Sequence, residues 1–215
     1  MAWTQSSSIA PMDEPRPDID AWAEAHGFTP STDQIGGTTQ LLDLGMIDTT
    51  DAAYRGEVDG HEAVLAEFSL GSPDWSEAFG GWGVDSTGFT VFLLFVDAAR
   101  WERITVHPSR FSDHEWARRL LHSERRVHTT SAQMDERYRI VGSRHISAGQ
   151  LAAAFTPELT AWWVAQEPDV LLDIEDHGEE GGFLTVARMG MGIGDEALTT
   201  LQGQAARLLA AFFPA

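Results

Sequence analysis

The sequence predicts an α+β domain: a twisted antiparallel sheet of about six to eight strands built from hairpins, with helices packed mainly on one face. Three observations carry that expectation. Asp59-Gly60, a dipeptide preferred where both central residues of a two-residue turn must take positive φ, sits between two β-prone runs. Val170, Leu172 and Ile174 alternate with Leu171, Asp173 and Glu175, and Phe183 to Met189 follows an acidic, glycine-containing turn, which makes a second hairpin. Near the carboxyl end, Leu198, Leu201, Ala205, Leu208 and Phe212 fall on one stripe of a long amphipathic helix that begins near Asp195 and suits the surface of a sheet.

Taken in order, residues 1–17 lack the positive and apolar regions of a signal peptide and read as a disordered leader, leaving 18–215 as a single domain. Ile19, Trp22, Ala23 and His26 have helical spacing, with Asp18 placed to cap the start and Gly27 to end it. The first hairpin runs from Tyr54 to about Leu70. Phe89 to Val96 is apolar at both alternations, which predicts a central strand covered on both sides, or one whose outer face meets a loop or partner. Short strands are expected at Arg103 to His107, Arg126 to Ser131 and Arg137 to Gly142. Ser112 with Glu115 forms a capping-box pattern, flanked by Phe111 and Trp116 as a hydrophobic staple, for a helix to about Leu121. The same grammar recurs at Ser147 with Gln150 and Ile146 with Leu151, followed by a restart at Thr156-Pro157 and a stop near Pro168.

Composition removes several kinds of chemistry. With no cysteine in 215 residues there is no disulfide, thiolate metal site or thiol nucleophile. All 14 cations are arginine, so Schiff-base and phosphate-loop lysines are absent as well. The net charge of −19 repels phosphate backbones and anionic lipid surfaces, which argues against a nucleic-acid or membrane partner. The longest strongly apolar run, Phe89 to Val96, is far short of the ~20 residues of a membrane span, and the expected location is the cytoplasm. Residues 100–144 carry 10 arginines against 6 acids, while both flanking regions are acidic. These arginines either pair with the flanking acids inside one folded unit or form a basic patch for an acidic partner.

No motif assembles a catalytic centre. His61-Glu62 and His114-Glu115 lack the second imidazole four residues on that a zinc helix needs, because Leu65 and Arg118 stand there. His107, His114, His122 and His128 share the basic region but read as ordinary core or surface histidines, so no metal is assigned. Arg188-Met-Gly-Met-Gly-Ile-Gly194 does not match the dinucleotide fingerprint, and Asp195 and Glu196 would oppose a phosphate at that helix start. A glycine-permitted bend into a helix is the alternative. Glu175-Asp176 and Glu179-Glu180 lack the order of a calcium loop, and no serine lies in a nucleophile-elbow frame. No catalytic residue and no cofactor is assigned, and the reading leans against an enzyme.

One stretch invites a partner. Residues 72–88 join two strong strands and carry Trp75, Phe79 and Trp82 among glycines and small polar residues, the composition of a contact loop. The competing account folds these rings back over the neighbouring sheet. Trp162-Trp163 poses the same choice, since adjacent helical positions cannot both face one core.

A further set of segments stands in a recognisable order. These are the opening helix ending in His26-Gly27, the strands around Gly56-x-x-x-Gly60-His61, and Arg103-Ile-Thr-Val-His-Pro108. Val127-His-Thr-Thr-Ser-Ala-Gln-Met-Asp135, then Tyr138-Arg-Ile-Val, then Ile146 through Thr156-Pro157 to Trp162 complete it. Over residues 18–213 this order resembles a family of uncharacterised soluble proteins from high-GC actinobacteria. The resemblance implies a shared fold and, because the family has no assigned activity, no catalytic residue. Three functions stay open: a non-catalytic protein-binding or accessory domain, a small-molecule carrier or enzyme with a pocket between sheet and last helix, and an acidic decoy or immunity-type protein for a basic partner.

Overall fold

The structure is a computed structural model, and it describes residues 17–31, 47–70, 87–97, 101–109, 125–143, 145–167, 169–176, 182–190 and 192–214. Its strands are β1 (Thr29–Pro30), β2 (Ile47–Val58), β3 (His61–Leu70), β4 (Thr87–Val96), β5 (Ile104–Pro108), β6 (Arg125–Val127), β7 (Tyr138–Gly142), β8 (Val170–Asp176) and β9 (Gly182–Met189). They form one sheet in the order β1-β2-β3-β4-β9-β8-β5-β7-β6. Every ladder is antiparallel, as expected, with one strand more than the expected range because the two-residue β1 adds to β2. The described helices are α1 (Pro17–Ala25), α2 (Ala132–Arg137), α3 (Ala148–Ala154), α4 (Pro157–Ala165) and α5 (Asp195–Phe212).

The first hairpin turns where its dipeptide places it: Asp59 and Gly60 take φ of 49° and 79°. Its leading strand reaches back to Ile47, beyond the expected Tyr54, through two register shifts near Thr49 and Ala52. Gly56 has a packing reason to be glycine. A Cβ built there would lie 2.6 Å from the buried ring of Phe28, so the ring occupies the space a side chain would need.

Alternation divides the strand residues between two faces. Leu65, Phe92, Leu94, Leu172, Ile174, Leu184, Val186, Val106 and Ile140 join the main core together with residues of all five helices. That face carries the stripe of α5, whose Leu198, Leu201, Ala205, Leu208 and Phe212 are all buried. The opposite face holds a second cluster, Val64, Ala66, Phe89, Val91, Leu93, Leu171 and Ala187, to which no described helix contributes. β4 is therefore buried on both sides, and its doubly apolar sequence follows from that position.

Helix ends match local chemistry with two corrections. Ser147 and Gln150 form the full capping box, and Thr156 caps α4 with Pro157 in its first turn. α1 begins at Pro17, so Asp18 lies inside the first turn and does not precede it. The expected strand Arg126 to Ser131 stops at Val127, because Ser131 accepts from the Met134 amide and starts α2, a helix the hydrophobic pattern does not announce. Asp135 reaches back to bind the amide and hydroxyl of Thr129 at 2.9 Å each and lies 3.1 Å from His128 Nδ1. That closed turn is what the His-Thr-Thr-Ser…Asp135 segment encodes. The helix expected from Ser112 lies outside the described residues.

Candidate functional site

Two places on the sheet hold buried polar groups, each centred on an acid that is no more than 1% exposed. On the helix-covered face of β3, Ala63, Leu65 and Glu67 share one side, and Glu67 has 0% exposure. Its Oε1 accepts the backbone N–H of Gly192 at 2.6 Å and lies 3.3 Å from the Thr90 hydroxyl on β4. The Thr90 hydroxyl is also 3.0 Å from the carbonyl oxygen of Gly190, and the Gly190 N–H donates to the Gly88 carbonyl at 2.8 Å. Gly190 and Gly192 take φ of 119° and 61°, which side chains rarely adopt. The run read in the sequence as a bend is one, and a buried carboxylate is tied to it.

Downstream of that bend, Gly194 occupies the N-cap of α5 without a side-chain cap. A cleft of about 500 Å3 opens here, lined by Arg188, Gly194, Asp195, Glu196, Ala197 and Thr200. Arg188 Nε is held 2.7 Å from Asp169 Oδ2, so its charge is compensated on the wall of the cleft. The first-turn acids Asp195 and Glu196 favour the helix macrodipole and disfavour a phosphate at the same place.

The second place is on the opposite face, where Thr185, Asp173 and Thr105 are successive cross-strand neighbours on β9, β8 and β5. Asp173 is 1% exposed, accepts from the Thr105 hydroxyl at 2.7 Å, and is 3.2 Å from Arg103 Nη2. One row along, His107 stands across from Arg139 of β7. Nδ1 of His107 donates to the Pro108 carbonyl at 3.2 Å, and the ring is 1% exposed. Burial, with the Arg139 charge adding to it and the Pro108 hydrogen bond opposing, lowers its pKa to about 4. A neutral ring of such weak basicity is a poor proton acceptor at pH 7.

The candidate residues of the sequence fall as follows. Trp75, Phe79 and Trp82 lie outside the described residues, on the connection between β3 and β4. Trp163 is buried against Tyr138 with ring centroids 5.0 Å apart, while Trp162 is half-buried beside it. His107 and His128 are not brought together: one is in the sheet, the other is exposed beside Asp135. Among the described residues no group of three His, Asp or Glu side chains has the geometry to hold a metal ion. The pairing account of the arginines holds for Arg103, which reaches Asp173, whereas Arg137 donates to a backbone oxygen, the Gln166 carbonyl at the end of α4. Glu67 and the Arg103–Asp173 pair were not singled out in the sequence. The signal for Glu67 is an acid at a core-facing position of an otherwise alternating strand, whereas Asp173 stands at an outward position of its alternation and gives no such signal.

Comparison with known proteins gives a fold and no family. No family model matches the chain, and no curated protein does. Among solved structures, the crystal structure of the mycobacterial trehalose monomycolate transport factor A, TtfA, is similar, with a TM-score of 0.57 at 11% identity. The likeness covers 93% of this chain and 97% of that one. No described helix is long and apolar enough to cross a membrane.

Proposed function

We propose that this chain is a cytoplasmic accessory domain that works by binding another protein, and that the connection between β3 and β4, with Trp75, Phe79 and Trp82, is its contact element. The observation that carries the reading is the extent of the likeness to TtfA. Nearly the whole of each chain is matched, and the matched chain is named as a transport factor. The position of the connection adds support. It leaves the sheet from two long adjacent strands, β3 and β4, anchored on both faces, which gives an aromatic loop a rigid base.

The test replaces Trp75 and Trp82 together by Ala. Partners are identified by cross-linking in a native extract, then purified and titrated against the chain. Loss of two aromatic anchors should weaken binding by about a hundredfold, with the melting temperature held within about 2 °C. Unchanged affinity refutes the contact role. A collapse in melting temperature assigns the rings to the core.

The cleft at the amino end of α5 favours a second reading, a carrier for a small molecule. Native mass spectrometry of the purified chain tests it. A retained mass that disappears on substituting Arg188 by Ala supports the carrier, and a bare chain at every preparation dismisses it.

A further inference from the structure

A buried carboxylate costs desolvation that an aliphatic side chain at the same position would not, and Glu67 sits at 0% exposure in the helix-covered layer of the sheet. Its hydrogen bonds show what the charge does there. Gly192 donates to it from 125 positions away in the chain, and the hydroxyl of Thr90, its cross-strand neighbour, lies within donating distance of both this carboxylate and the Gly190 carbonyl, with one proton to share between them. Glycines at φ of 119° and 61° supply no side chains to fix their own conformation, so the bend takes its shape from what it is tied to.

The two ends of this network lie at different features. Beyond Glu67 and Thr90 the β3–β4 ladder has three more pairs, Phe68 with Phe89, Ser69 with Gly88 and Leu70 with Thr87, and then the aromatic connection begins. Beyond Gly192 comes Gly194, which opens α5 and lines the cleft with Arg188 and Thr200. Gly190 is itself bonded to Gly88, one of the last residues of the ladder.

We propose that Glu67 is a conformational latch: its carboxylate fastens the glycine bend before α5 to the end of the β3–β4 ladder, so that filling the cleft and opening of the ladder end at Gly88–Thr90 influence each other. Such coupling is reciprocal, and each event changes the other by the same factor. Control of partner binding by the cleft rests on the function proposed above, whereas the latch itself does not.

Hydrogen–deuterium exchange on the full chain tests it. Glu67→Gln keeps the shape and removes the charge, and Thr90→Val removes the bridging hydroxyl at nearly constant volume. Loss of a charge-assisted hydrogen bond should speed exchange about tenfold in peptides spanning 190–198 and 87–91, with β8 and α1 unchanged. Unaltered exchange in both variants, or a uniform rise across the chain, overturns the latch. Because the chain has no cysteine, Thr200→Cys can be modified with a bulky maleimide to fill the cleft selectively. Modification should change exchange at 87–91 about threefold or more with Glu67 present and not in the Glu67→Gln background, the pattern expected of coupled positions. No change with Glu67 present overturns the coupling. Exchange is read without any partner, so failure of the latch and failure of the partner-binding reading remain separate results.

Discussion

Replacing His107 by Asn should remove one proton's worth of pH dependence from the stability of this chain. The imidazole is buried on β5 with its pKa lowered to about 4, while an unfolded histidine titrates near 6.5. Between those values the unfolded chain carries a proton that the native chain does not, so stability falls as the pH falls through the window and is fully retained above it. Over the whole window the loss amounts to about 3 kcal/mol, since each unit corresponds to about 1.4 kcal/mol. The isoelectric point of about 4.5 makes the lower end unsuitable for solution work, because net charge and solubility vanish there. From pH 7.5 to 5.5 the same linkage gives a loss of about 1.3 kcal/mol, a figure that barely depends on whether the folded value is 4 or 5. Asn retains an N–H donor for the Pro108 carbonyl and cannot be protonated, and carboxylates elsewhere contribute equally to both proteins. Urea unfolding followed by tryptophan fluorescence should therefore show the wild-type midpoint moving about 0.6 M further than that of His107→Asn between the two pH values, at m of about 2 kcal/mol/M. Equal movement of the two midpoints would refute the reasoning. So would an imidazole resonance of His107 titrating near its unfolded value.

Two further substitutions test the packing and the buried charge. Gly56→Ala brings a methyl to 2.6 Å from the Phe28 ring, which should cost about 1–3 kcal/mol; the loss should shrink in a Phe28→Leu background, and additivity of the two changes would show that the ring is not the obstacle. Arg103→Met leaves the carboxylate of Asp173 without its guanidinium at 1% exposure and should cost about 3 kcal/mol, measured by the same unfolding assay. A cost below ~1 kcal/mol would mean that other groups already neutralise Asp173.

Local chemistry was legible in the sequence and long-range order was not. The turn at Asp59-Gly60, the box at Ser147 and Gln150, the restart at Thr156-Pro157 and the stripe of α5 are each decided by residues within a few positions of one another. α2 escaped because six residues are too few to show a periodicity, and its signal was a single serine cap. Strand order escaped for a different reason. β9 lies beside β4, and β8 beside β5, and the inward residues of all four are interchangeable aliphatics and aromatics that name no particular neighbour. Alternation says that a strand is buried without saying which neighbour buries it.

The same property bears on where function is to be sought. A sheet whose main core is built of Val, Ile, Leu and Phe tolerates exchange among them, so two chains that are 11% identical can share this architecture. Groups that are expensive to keep in such a sheet are more informative. Asp173 finds a guanidinium and a hydroxyl on the adjacent strand and the residue before it, Arg103 and Thr105, and its cost is met within one patch of the sheet. Glu67 is met instead by a backbone amide from a distant bend, and that bend must be glycine at Gly190 and Gly192 to present it. A charge that only stabilised β3 would need no such arrangement. Its placement joins the end of the β3–β4 ladder to the bend beside the cleft, and this is why exchange at Gly192, more than any loss of overall stability, is the measurement that decides its role.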